Sequence, residues 1–268
     1  MTLFEPSEPM DQRPPTCRIT KYGPLSPDEA EAFEEMAGAP MTLTRGQYVR
    51  HRGDTDPKVY FLRSGWVSCS VTFEDGARQI VKIHLPGDLV GVPSFAASVA
   101  GETIQALSDA VVAPVSNQSF GRLFRHHPRL AAILFVVSQE ERALLMRRLA
   151  WVGRTRSIQR VGELIMSLHD RVSLADPTHT GPIFAPLSQE EIGDATGLTN
   201  VTVNHCLQEL RQRQVASWRR FSLEVHDRAR LEELVGIPRE AIRTLDWFED
   251  PMTDESRPPL ARSPTTMP

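Results

Sequence analysis

The chain has 268 residues, 40% of them apolar and 24% charged, with a net charge of −4. That length accommodates about two domains, and the balance is that of an ordinary soluble protein rather than a disordered or fibrous one. The longest apolar run, Leu130 to Val137, falls far short of the ~20 residues of a membrane-spanning helix. The start, Met1-Thr2-Leu3-Phe4-Glu5, has neither the basic nor the apolar segment of a secretory signal, so a cytoplasmic location is expected. Three cysteines, Cys17, Cys69 and Cys206, form no CxxC pair, which argues against a disulfide framework and a zinc ribbon.

Residues 1–20, rich in proline and charge and without periodicity, read as a flexible N-terminal arm. Ser26-Pro27-Asp28-Glu29 supplies an N-cap, a proline at the first helical position and acids at the positive end of the dipole. A helix is predicted there, ending by Gly38-Ala39-Pro40. From Met41 to Val115 the texture changes to short strands, predicted over 41–49, 59–62, 66–73, 78–85, 103–107 and 110–115. Arg52-Gly53-Asp54, Ser64-Gly65, Glu74-Asp75-Gly76 and Pro86-Gly87-Asp88 turn the chain between them. Such a pattern predicts an antiparallel β-roll over 21–127, whose interior or mouth suits a small ligand.

A short helix is predicted over 119–127, and Pro128 opens a long one with no internal breaker before Gly153. Leu130, Leu134, Val137, Glu141, Leu144, Arg148 and Trp151 follow the four-three alternation of a coiled-coil seam. A second stripe, Ile133, Leu145, Leu149 and Val152, is left for the chain's own roll. Residues 128–154 therefore read as a dimerisation helix. Another helix runs from Ser157 to about Val172, and residues 175–186 read as a loop.

Residues 187–211 carry the clearest signal. Ser188 and Glu191 form a capping box, Ile192 and Ala195 face inward, and Gly197 sits where the chain turns. Thr199 caps a second helix with Val203, Leu207 and Leu210 on one face. Two helices joined so tightly make a helix-turn-helix unit. Strands predicted over 215–218 and 221–225 flank Arg219-Arg220 as a wing, and Arg211 and Arg213 add to the local positive charge. Small helices are expected over 228–236 and 238–248, closing a DNA-binding domain of 155–248, and 249–268 reads as a disordered tail. The fold class expected is thus α+β: an N-terminal antiparallel β-roll, a long dimerisation helix and a C-terminal winged helix-turn-helix.

This order resembles the Crp/Fnr superfamily of bacterial transcription regulators over roughly residues 25–240. The matching segments are Leu62-Arg63-Ser64-Gly65-Trp66, Asp75-Gly76-Ala77-Arg78-Gln79-Ile80, Leu85-Pro86-Gly87-Asp88-Leu89-Val90-Gly91 and the whole of 187–211. The resemblance implies a homodimer, a cyclic-nucleotide-binding-like roll, a palindromic promoter operator and RNA polymerase as partner in activation. It maps base reading to Asn200, Val201, Asn204 and His205. Phosphate contacts are expected from Ser188, Thr199, Thr202, Arg211, Arg219 and Arg220.

Three departures shape the functional reading. Members that bind cyclic AMP carry Glu after the glycine equivalent to Gly91, and an arginine some ten residues on. Here Val92 follows Gly91, and no arginine lies between Arg78 and Arg122, so cyclic AMP is not the expected effector. An iron–sulfur cluster generally takes four thiolates, and Cys17 stands alone in the arm. Haem would need an axial histidine such as His51, His84, His126 or His127, and no cofactor is expected. In the recognition helix, Val201 and His205 replace the family's usual Glu and Arg, which shifts the expected operator away from a TTGA-like half-site. The alternative is a ligand-sensing protein whose C-terminal domain contacts proteins instead of DNA. No GxSxG, P-loop, HExxH or dinucleotide fingerprint is present, so no enzyme is expected.

Overall fold

A computed structural model describes residues 17–152, 155–174 and 181–236. The helix expected over 238–248, the tail 249–268 and residues 1–16 of the arm lie outside the described residues. The arm's end is corrected: α1 (Cys17–Thr20) is a short helix, anchored by Ile19, which is 1% exposed. Helix α2 (Pro27–Glu35) starts as its sequence requires. The Ser26 hydroxyl accepts from the Glu29 N–H, and the Glu29 carboxylate accepts from the Ser26 N–H. Its buried Phe33 meets Phe61 edge-on at 4.9 Å between ring centres.

The roll consists of two four-stranded sheets. One has the order β1 (Met41–Leu43), β8 (Ala110–Val115), β3 (Val59–Ser64) and β6 (Leu89–Val90). The other has the order β2 (Tyr48–Arg50), β7 (Thr103–Ala106), β4 (Val67–Thr72) and β5 (Arg78–His84). Leu62, Val90 and Val112 of the first sheet share one core with Val67, Cys69 and Ile104 of the second. The single strand expected over 41–49 is two strands in different sheets, because the chain turns at 44–47 to cross between them. Strand β6 and a 3-10 turn over Val92–Phe95 had no clear sequence signal, being too short to show a period.

Helix α3 (Asn117–His126) is capped by Ser116, and Pro128 opens α4 (Pro128–Val152). Among the described residues, no helix is long and apolar enough to cross a membrane. The facing expected of α4 is corrected in its first half. Leu130 and Leu134, read as part of a seam for a second copy, are buried inside the protomer at 0% and 4% exposure, alongside Ile133 at 0%. Glu141 pairs with Lys82 at 2.5 Å, and Leu144 lines a small groove with Val81, Ile83, Leu164 and Leu168. Among the described residues, the large apolar groups that α4 leaves exposed are Phe135, Leu145 and Met146. Phe135 and Met146 are eleven residues apart and share a face, about 150° round the helix from the centre of the stripe expected. The side chains of Arg148, Leu149, Trp151 and Val152 lie outside the described residues.

Helix α5 (Ser157–Ser173) then leads to α6 (Gln189–Thr196), α7 (Asn200–Gln212) and α8 (Arg228–Val235). The wing is a three-stranded sheet in the order β10 (Ala216–Arg219), β11 (Ser222–Val225) and β9 (Ile183–Phe184). Ile183 and Phe184, read as loop, pair with Leu223 and Ser222. Two residues between prolines carry no strand pattern of their own, and the ladder with β11 creates the strand.

Candidate nucleic-acid interface

The interface is built on two short helices that begin and end where local chemistry dictates. At the start of α6 the Ser188 hydroxyl accepts from the Glu191 N–H at 3.2 Å, and the Glu191 carboxylate accepts from the Ser188 N–H at 2.6 Å. Such a cap stabilises a helix start by about 1 kcal/mol. Gly197 ends α6 in the left-handed region at φ 65°, as the sequence required. Gly193 has a role the sequence reading missed: a Cβ there would lie 2.6 Å from the Leu198 carbonyl oxygen. The turn can close onto α6 only because that position has no side chain.

Thr199 then caps α7, its hydroxyl accepting from the Thr202 N–H at 3.3 Å. Val203, Cys206 and Leu210 are buried at 0%, 3% and 0% exposure, while Leu207 is half-buried. Their core includes Ile192 of α6, Val161 and Ile165 of α5, Trp218 and Leu223 of the wing, and Leu231 of α8. Fully burying an aliphatic side chain of this size contributes roughly 1.5–3 kcal/mol, so α7 is held on one side only. Its other side is open. Asn200, Val201, Asn204, His205 and Gln208 are all exposed, Val201 to 81%. The structure thus brings the four expected base-reading positions onto one free face of one helix.

The positions expected at phosphates surround that face. Ser188 and Thr199 are exposed at the starts of α6 and α7, Thr202 is half-buried, and Arg211 is exposed near the end of α7. Arg219 and Arg220 are exposed at the tip of the β10–β11 hairpin. Arg220 has φ 53°, in the left-handed region that a side chain other than glycine enters at a cost of roughly 1–2 kcal/mol. A groove of about 200 Å³ runs between this tip and α6, lined by Ser188, Gln189, Leu207, Trp218, Arg220 and Phe221. Phe221 and Phe184 meet edge-on beside it at 6.0 Å and are both substantially exposed. The sequence places Phe221 at the start of a strand and Phe184 in a loop but gives neither a functional role, because their neighbourhood depends on β9 joining the wing. The set offers amides, an imidazole and a methyl-bearing side chain to base edges, with hydroxyls and guanidinium groups around them.

The roll holds a second arrangement of interest. Arg50 of β2 is 5% exposed, and its guanidinium donates to Ser94 Oγ at 2.6 Å, to the Lys58 carbonyl at 2.8 Å and to the Glu102 carboxylate. It lies directly under Gly91, where a Cβ would come within 3.0 Å of it. A search between Arg78 and Arg122 could not find this cation, because it arrives from a strand forty residues earlier. Glu102 already neutralises it. Of the histidines considered as haem ligands, His51 stacks on Tyr48 and His127 Nδ1 lies 3.3 Å from Asp28. His126 is exposed on α3. His84 is buried, with Nε2 3.3 Å from the Cys69 sulfur and Nδ1 3.3 Å from Asp88. Burial pushes the His84 pKa down to about 4 and the Cys69 thiol up to about 12.

Comparison with known proteins agrees with both halves of this architecture. The family profile for a cyclic nucleotide-binding domain matches residues 40–127, and that for a Crp-like helix-turn-helix domain matches residues 159–234. The transcriptional regulatory protein btr of Bordetella pertussis is 25% identical over 209 residues, covering 78% of this chain and 86% of its own. The transcriptional activator protein FnrA of Stutzerimonas stutzeri is 24% identical over 188 residues, covering 70% and 77%. The solved structure of FixK2 from Bradyrhizobium japonicum has the same fold, with a TM-score of 0.66, 22% identity and coverage of 75% of this chain and 98% of its own. A cyclic-nucleotide-type roll followed by a Crp-like winged helix-turn-helix, with regulators as relatives over most of its length, makes this chain a DNA-binding transcription regulator that belongs to the Crp/Fnr superfamily.

Proposed function

We propose that the chain acts as a homodimer that binds a two-fold symmetric promoter site and activates transcription with RNA polymerase, under a signal other than a cyclic nucleotide. In this reading residues 21–127 are the sensor, 128–154 the dimerisation helix and 155–248 the DNA-binding domain, with an arm ahead of α1 and a tail at 249–268. The observation that carries it is the open row Asn200, Val201, Asn204 and His205 on a helix whose other side is locked in the core. Two such helices related by a two-fold axis reach successive major grooves when they stand about 34 Å apart. Asn200 and Asn204 suit adenine, Val201 suits a thymine methyl, and His205 donates to a base acceptor. Ser188, Thr199, Thr202, Arg211, Arg219 and Arg220 address phosphates and make the affinity salt-dependent.

Dimerisation is supported by Phe135, Leu145 and Met146, which offer exposed apolar surface on α4 for a second copy. Activation is supported by the relative FnrA, a transcriptional activator protein. A signal other than a cyclic nucleotide is supported by Val92 after Gly91, and by Arg50 being already paired with Glu102. A small molecule of different chemistry in the roll would act by shifting the population of DNA-competent dimers.

The test is selection of duplexes from a random-sequence pool by the full-length protein, followed by sedimentation of protein and complex. The expected result is an inverted repeat with half-site centres about 10 base pairs apart, bound by two protomers. A site without repeat symmetry, or one protomer per duplex, would overturn the dimeric reading. Heat released on titration with cyclic AMP or cyclic GMP would overturn the part that concerns the signal.

A further inference from the structure

Strand β5 is the outer strand of its sheet, but it is not left alone. Helix α6 lies against it. Ile80 and Ile83 of β5 share a continuous core with Ile165 of α5 and Ile192 of α6. Around this core, polar side chains tie the roll to the DNA-binding elements. At the start of β5, Arg78 Nε donates to Asp194 Oδ2 of α6 at 2.6 Å, and the Gln79 side-chain amide donates to the Asp194 carbonyl at 2.5 Å. Arg78 is itself braced by Gln105 of β7 at 2.8 Å. Toward the end of β5, Arg171 of α5 donates to the Ile83 carbonyl and, just beyond the strand, to Asp88, both at 2.6 Å.

The turn between β1 and β2 supplies the remaining tie. Arg45 donates to both oxygens of Glu191 at 2.9 and 2.7 Å and to the Pro186 carbonyl at 2.7 Å. It also donates to the Leu107 carbonyl of the roll, and its guanidinium lies 5.3 Å from the centre of the Phe221 ring in the wing. Its backbone N–H is fixed by Asp109 at 2.9 Å. One side chain of the roll thus touches the cap of α6, the segment before it and the wing. One guanidinium nitrogen, Nη2, spans both carboxylate oxygens while Nη1 holds the Pro186 and Leu107 carbonyls, so the rigid group is fixed in orientation as well as distance. This docking leaves the proposed reading face of α7 exposed.

We propose that Arg45 and Arg78 are positioning residues for DNA binding. By gripping α6 at Glu191 and Asp194 they fix the angle at which the roll presents α7, and so the spacing of the two recognition helices in a dimer. This rests on the dimeric reading above. It makes β5 and the 44–47 turn the parts of the sensor whose movement reaches the reading head. A grip that only held the fold together would affect one half-site and a full site alike. A grip that sets spacing matters only when two helices must engage at once.

The experiment uses the full-length protein and a duplex that the wild type has selected from a random pool, compared with a duplex holding one half-site. Arg78→Asp and Asp194→Arg each reverse one charge, and the double exchange restores the pair, so the cycle isolates their coupling. Each single variant is expected to lose about tenfold in affinity for the full site, within the usual range of inter-site coupling. Half-site affinity stays within about twofold on the same scale, and the exchange recovers the full-site value. Arg45→Gln, which keeps hydrogen-bond donors but removes the charge and one of the two donor nitrogens, shows the same split and serves if a reversal fails to fold. Equal loss on both duplexes, unchanged full-site binding, or no recovery in the exchange would each overturn the proposal. Spin labels at the exposed Phe73 of the roll and Gln208 of α7 give a readout without DNA. Their distance distribution broadens in the single variants and narrows again in the exchange, and an unchanged distribution overturns the grip even if the wild type selects no duplex.

Discussion

Helices α7 and α4 leave opposite kinds of surface unsatisfied. On α7 Val203, Cys206 and Leu210 are buried to 3% exposure or less with Leu207 half-buried, and what reaches solvent, Val201 apart, is polar, chiefly amides and an imidazole. Those groups hydrogen-bond to water when free and to base edges when bound. On α4 the first turns are buried as thoroughly by Leu130, Ile133 and Leu134, yet Phe135 and Met146 stand 56% and 61% exposed. Burying such a side chain gains up to roughly 1.5–3 kcal/mol. The first surface calls for a polar partner and the second for an apolar one, so the two helices divide DNA recognition from self-association.

The largest effect expected concerns the buried side of α7. Leu210→Ala removes a side chain with no exposure and costs about 2–5 kcal/mol. Chemical denaturation measures this loss, and specific DNA binding disappears with the helix's support. A cost under about 1 kcal/mol would mean that α7 is not held as described. Next in size is Met146→Glu on α4. It is expected to raise the dimer dissociation constant at least tenfold, about 1.4 kcal/mol, while the protomer's melting temperature stays unchanged. Sedimentation checks the first point and calorimetry the second, and an undisturbed dimer would remove the distinction between the helices.

Within the interface the comparison sharpens further. His205→Ala is expected to cost about 1 kcal/mol of discrimination at one base pair, the low end for a direct base contact. Arg219→Ala instead weakens all duplexes alike and lowers the salt slope by about one. If competition binding found both variants weakened uniformly, His205 would not read a base.

The smallest effect is one of pH and belongs to the roll. Burial, helped by the Lys82 charge, lowers the His84 pKa to about 4, while Asp88 opposes the shift. Free histidine titrates near 6.5, so between those values the unfolded chain binds a proton that the folded roll excludes. This contribution is complete above about pH 6.5 and declines as the pH falls towards 4. His84→Gln should flatten the acid slope of stability in that window by up to about one proton. A slope equal to the wild type's would place the acid sensitivity elsewhere.

The contrast between the helices also governs what could be read in advance. Ser188, Glu191, Gly197 and Thr199 act on backbone groups within three or four residues, and every one of them performs its local role in the structure. Helix α7 has one apolar face, so its inner and outer sides follow at once. Helix α4 carries apolar groups on two faces, and the period that marks it as a helix does not say which face its own roll takes. The period alone therefore assigns the stripe from Leu130 to a partner, although its first members are buried. Arg50 shows the same limit in the roll. Its place under Gly91 depends on β2 and β6 lying in different sheets that close on one core, and no local window contains both residues.

By itself the sequence determined the order of the longer elements, the caps and turns that bound them, and the row of four side chains that α7 offers, because each rests on interactions between near neighbours along the chain. Only the tertiary structure decided which stripe of α4 is free, that Ile183 and Phe184 complete the wing, and that Arg45 and Arg78 of the roll grip α6. Those outcomes depend on which distant surfaces meet, and a contact across more than a hundred residues leaves no period in the chain for either partner to show.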